Sequence, residues 1–164
     1  MTDLINKLLE FLASFYTEKP QPSPIIYDSS VVHDDTILEV FQTHGIRWAG
    51  APEFSLEDEW FHFPNDIADW LEICYQARTQ CPPYSSNSFE EAGFECEDFA
   101  SFFPAWAKAK HGFNACWEVW GGALGGGHAW NVVMAGDEIY EIEPQTGETW
   151  LLGTNKGYKA IIVK

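Results

Sequence analysis

The apolar residues of this chain change period near Gly112, and a pattern that switches from 3.6 to 2 leaves few ways to fold. Before the switch, Leu4, Ile5, Leu8, Leu9, Leu12, Phe15 and Tyr16 recur at helical intervals, which predicts an amphipathic helix over residues 3–16. Residues 17–24 then hold three prolines, which cannot continue that helix and favour extended backbone. A short helix capped by Asp34 or Asp35 carries Ile37, Leu38 and Phe41 and stops near Gly45. Residues 65–80 set Ile67, Trp70, Leu71, Cys74 and Ala77 on one helical face, and Pro82 and Pro83 follow its end. Residues 95–111 form a further helix with a stripe of Phe99, Phe103, Trp106 and Ala107 and an expected kink at Pro104. After the switch, residues 116–120, 128–134, 139–143, 149–152 and 160–163 alternate as short strands. Turn signals at Gly136-Asp137 and over residues 145–148 join three of them into an antiparallel meander. Helices first and sheet last predicts an α+β fold.

A length of 164 residues suits a single domain over 1–164, with 1–24 as its N-terminal helix and Pro-rich connection. The 8 Trp, 6 Tyr and 12 Phe supply a core, so the charge does not imply disorder. That charge is −16, which disfavours nucleic acid and anionic lipid and favours divalent cations and basic partners. The first residues lack both a basic cluster and a long apolar run, so the expected localisation is cytoplasmic. In that compartment Cys74, Cys81, Cys96 and Cys116 are expected as reduced thiols, and no CxxC pair suggests structural zinc.

Of the four, Cys96 opens a predicted helix, where the positive end of the dipole favours a thiolate, whereas Cys74 and Cys116 sit on apolar faces. His128 follows a glycine-rich run at a strand start, and Glu143 ends the next strand, so antiparallel pairing brings the two together. A histidine within reach of a thiol can take its proton, and a carboxylate on the other ring nitrogen orients the imidazole. Cys96, His128 and Glu143 are therefore the candidate catalytic residues.

Phe94-Glu95-Cys96-Glu97-Asp98-Phe99-Ala100, Gly127-His128-Ala129-Trp130 and Tyr140-Glu141-Ile142-Glu143-Pro144 resemble the three motifs of transglutaminase-like cysteine peptidases of the papain-like superfamily, especially their bacterial branch. The resemblance spans about residues 70–152, and Glu143 stands where that family usually has Asp. It implies a papain-like arrangement, with the nucleophile helix packed on the C-terminal meander, and a cytoplasmic or phage-encoded relative. It also implies a thiol hydrolase acting on a peptide or isopeptide bond of a protein or peptide substrate, or an acyltransferase using the same three residues.

Glu95, Glu97 and Asp98 flank the cysteine; carboxylate oxygens suit Ca²⁺, and the resemblance implies calcium dependence. Carboxylates at a helix start are also favoured by the dipole alone, so both readings stand; unneutralised, these acids raise the Cys96 thiol, and a bound cation would offset them. Gln80, Tyr84 and Asn87 are candidate second donors of an oxyanion hole, and Trp117, Trp120 and Trp130 candidate groove residues. A different class of function is a non-catalytic acidic binding or inhibitor protein on a degenerate form of the same fold.

Overall fold

The structure is a computed structural model and describes residues 27–49, 60–84, 94–123 and 125–163. The expected helix over 3–16, the proline segment 17–24 and Asn87 lie outside the described residues. The elements run β1 (Ser29–His33), α1 (Asp34–Thr43), β2 (Arg47–Trp48), β3 (Trp60–Pro64), α2 (Ile67–Gln80), α3 (Cys96–His111), β4 (Cys116–Ala123), β5 (Gly126–Ala135), β6 (Glu138–Glu143), β7 (Glu148–Leu151) and β8 (Tyr158–Val163). Among the described residues, no helix is long and apolar enough to cross a membrane.

Local chemistry sets each helix start. His33, not Asp34 or Asp35, is the N-cap of α1, its Nδ1 accepting the Asp35 N–H at 3.4 Å. The Asp66 carboxylate caps α2 by accepting the Ala68 N–H at 2.9 Å. At α3, Glu95 and Asp98 form a reciprocal capping box, with the Glu95 N–H donating to Asp98 Oδ2 at 2.9 Å. The helix ends at Gly112, whose φ of 77° suits the left-handed cap.

The expected order of helices followed by a plain antiparallel meander is corrected. Three strands precede or separate the helices, and β1 and β3 pair antiparallel as a sheet of their own, Ser29 opposite Pro64. The alternation of buried Phe61 and Phe63 with exposed Trp60 and His62 was the available signal for β3. The large sheet has six strands in the order β2-β8-β4-β5-β6-β7. Strands β4 to β7 run in sequence, but β8 returns to the far side of β4, and β2 joins it in parallel. The papain-like arrangement of one nucleophile helix on a C-terminal meander is therefore not what this sheet order builds.

The core gathers Ile37 and Phe41 of α1, Trp70 and Ile73 of α2, Phe103 of α3 and Trp117, Val119, Trp130, Val132 and Ile142 of the sheet. Trp70 donates its Nε1–H to the Met134 carbonyl at 2.7 Å, so even this large ring leaves no buried donor unpaired. Helix α3 lies against β4 and β5, where Asn131 Nδ2 donates to the Ala100 carbonyl at 2.7 Å and fixes the helix over the strand.

Candidate functional site

Strands β5 and β6 pair with Val132 opposite Glu141, so side chains two residues apart along each strand share a face. That face carries His128 and Trp130 from β5 and Glu141 and Glu143 from β6. His128 Nε2 and Glu143 Oε2 are 2.5 Å apart, with the two side chains 13% and 5% exposed. Glu143 is braced further: Tyr158 of β8 donates its hydroxyl to Oε2 at 3.2 Å, and the Gln145 N–H donates to Oε1 at 3.3 Å. The turn after Glu143 is tied to α2, where Arg78 Nη1 donates to the Gln145 carbonyl at 3.0 Å and Cys74 Sγ to the Pro144 carbonyl at 3.9 Å. Burial and the adjacent Glu143 push the Tyr158 hydroxyl up to about 12, so it remains a donor at neutral pH.

Cys96 begins α3 and places its sulfur against the Ala129 N–H, one residue beyond His128. Its S–H is aimed at Glu97 Oε2, 3.3 Å away, rather than at the imidazole. The helix-start position favours a thiolate and the flanking carboxylates oppose it; in the structure the raising influences prevail. Burial pushes the Cys96 thiol up, the Ala129 N–H pulls it back, and the Glu97 carboxylate raises it further by accepting the proton and repelling the anion. Replacing Glu97 with Gln is therefore expected to move the iodoacetamide pH profile of Cys96 to lower pH, with faster labelling at pH 7. An unchanged profile, followed by mass mapping, would remove Glu97 from the thiol's environment.

All four cysteines are free thiols. Cys74 and Cys116 are buried; burial pushes Cys74 up to about 12 and Cys116 well above its ordinary value. Trp117 and Trp130 are core residues, while Trp120 is 37% exposed. Gln80 Nε2 donates to Thr79 Oγ1, and Tyr84 is exposed and bridges the backbone of Phe94.

The carboxylates proposed for calcium do not fit one cation. Glu95 and Asp98 are engaged with each other's backbone N–H groups, and Glu97 takes the Cys96 thiol. Among the described residues, the three-residue group whose ligand atoms all lie within 4.8 Å of one another is His33, Asp34 and Asp35, elsewhere in the molecule.

Sequence reasoning missed Tyr158, which reaches Glu143 only because β8 crosses back beside β4. Glu141 lies two residues from Glu143 on the same face of β6. The structure separates their partners: Glu141 Oε1 accepts from Trp130 Nε1 at 3.0 Å, and its Oε2 accepts from Trp150 Nε1 at 2.6 Å and from the Gly153 N–H at 3.2 Å.

No family model and no curated protein matches the sequence. Two solved structures share the fold. One, described as a PSL1a-E64 complex, has a TM-score of 0.58 and 22% identity and matches 81% of this chain and 50% of its own. The other is Polyporus squamosus lectin bound to the human-type influenza-binding epitope Neu5Aca2-6Galb1-4GlcNAc, with a TM-score of 0.59 and 19% identity over 81% of this chain and 49% of that one. This chain thus spans about half the length of the structures it matches. These findings correct the expected kinship with transglutaminase-like cysteine peptidases. The fold is shared with these two structures, one of them described as a lectin, and no comparison supports the cysteine hydrolase, acyltransferase, phage or calcium expectations attached to that family.

Proposed function

We propose that this chain is a ligand-binding domain whose site is the face of β5 and β6 that carries the His128–Glu143 pair, with Cys96 beside Ala129 at its edge, and that it holds its ligand rather than turning it over. The observation that carries the reading is the 2.5 Å contact between His128 and Glu143, a polar pair braced by Tyr158 on an aromatic face. With Nε2 committed to Glu143, the second imidazole nitrogen is the polar atom left for a ligand. Binding without turnover is supported by the thiol, which donates to Glu97 Oε2 at 3.3 Å and is pushed up by burial and by that carboxylate. A ligand site on this fold is supported by the neighbours, both described in complex with a ligand. The charge of −16 favours a neutral, hydroxyl-rich ligand over an anionic one, so a saccharide is the class that fits best.

The test uses Neu5Aca2-6Galb1-4GlcNAc, the glycan named with one neighbour, together with the neutral disaccharide that ends it. Saturating glycan is expected to slow iodoacetamide labelling of Cys96 in the wild type and to lose that protection in Glu143→Ala. Labelling indifferent to both compounds would sink the reading. Product release from a fluorogenic peptide, abolished in Cys96→Ala, would sink it from the other side.

A further inference from the structure

We propose that Glu141 is the positioning residue of this site, holding Trp130 and Trp150 in the rotamers that wall in His128 and Tyr158. The inference rests on the site assignment above but uses a different observation: a carboxylate only 1% exposed that receives three N–H donors from three segments. Those donors are the indoles of Trp130 on β5 and Trp150 on β7, and the backbone of Gly153 beyond β7. The rings they fix are the walls of the site. The Trp130 ring stacks on the His128 imidazole at 5.9 Å and 20°, and meets Tyr158 edge-on at 5.3 Å. Trp150 packs on Tyr158 at 4.6 Å, and Tyr158 in turn donates to Glu143.

A stability role alone explains this residue poorly. Burying a carboxylate is costly, and burial is the largest influence on Glu141, pushing its carboxyl up against the pull of its three donors and of His44. Apolar replacements of buried ionic groups are often neutral or stabilising, so a retained buried carboxylate calls for something an apolar side chain cannot do. Here that is to accept two indole N–H groups at once, one on each oxygen. An amide cannot: glutamine offers one acceptor oxygen and turns an NH₂ towards the second indole, donor against donor. Glu141 touches neither His128 nor Cys96 through a hydrogen bond in this arrangement, so its effect passes through the rings.

The experiment compares the full-length wild type with Glu141→Gln and Trp150→Phe. Two signals are read: the His128 imidazole proton resonances, displaced by the stacked Trp130 ring, and the Tyr158 ring resonances, displaced by the Trp150 ring packed on it. In Glu141→Gln both sets should move, because the two indoles lose their shared acceptor. Trp150→Phe keeps an aromatic ring and removes one donor, so the His128 resonances, on the far side of Glu141, should move less than in Glu141→Gln. Should Glu141→Gln fail to unfold cooperatively, the Phe variant decides: wild-type His128 resonances overturn the proposal. Wild-type resonances of both residues in a folded Glu141→Gln overturn it as well. These readouts need no ligand, so they can fail while ligand protection of Cys96 stands, and the reverse.

Discussion

Trp70→Ala is expected to lower the free energy of unfolding by about 3–5 kcal/mol, the usual cost of emptying a buried aromatic site. Trp70 is fully buried on α2, its ring edge-on to Phe103 of α3 at 5.9 Å and tilted on Phe113 at 5.9 Å. Its Nε1–H is bound by the Met134 carbonyl of β5 at 2.7 Å, so one side chain joins two helices to the sheet beneath the site. Trp70→Phe separates the two contributions. The phenyl ring refills much of the volume but leaves the Met134 carbonyl unpaired, which costs roughly 1–3 kcal/mol. Urea denaturation measures both variants, with an unchanged m-value showing that only stability has altered. A loss below about 1 kcal/mol for the alanine variant would mean that Trp70 does not hold the three layers together.

The second large effect falls within the glycine run. Gly121→Ala is expected to destabilise the domain by roughly 3 kcal/mol, at the upper end of the cost of overpacking, while Gly126→Ala in the same run costs little or stabilises slightly. A Cβ at Gly121 would overlap the Lys159 carbonyl oxygen of β8 and come within 2.8 Å of Trp130 Cη2. Both are pinned, Lys159 by β4–β8 pairing and Trp130 by its bond to Glu141, so neither can move aside cheaply. At Gly126 a Cβ meets nothing within 4 Å, and alanine restricts the unfolded chain more than glycine does. Paired denaturation curves decide the matter: equal losses at the two positions would show that strand propensity, not the close approach of β8, governs this run.

Much of the helical half was legible. The stripes over 65–80 and 95–111 mark α2 and α3 to within two residues at each end, because capping side chains and a following proline or glycine punctuate the chain locally. The strands after Gly112 were legible in number, yet they run further into the glycine segment than alternation indicates, to Ala123 on β4 and from Gly126 on β5. Glycine carries no apolar signal, so pairing across the hairpin, not composition, extends them. Strands β1 and β2 were missed for a related reason. They are short, and they are stabilised by partners distant in sequence, Ser29–His33 by Trp60–Pro64 and Arg47–Trp48 by Ile162 and Val163.

By itself the sequence determined which side chains can meet through neighbouring elements. His128 and Glu143 lie on consecutive antiparallel strands, so their 2.5 Å contact follows from strand order and period-two geometry. Cys96 at the first turn of α3 follows from the capping residues around it. Only the tertiary structure decided what those residues experience. The return of β8 beside β4 delivers Tyr158 to Glu143, and the β6–β7 pairing delivers Trp150 to Glu141. Packing α3 over β5 half-buries the Cys96 thiol, and burial together with Glu97 outweighs the pull of the Ala129 N–H and reverses the shift that a helix dipole alone would give. Periodicity encodes which face a residue occupies, whereas burial and long-range neighbours depend on how whole elements stack, and those decide what a thiol, an imidazole and two carboxylates can do.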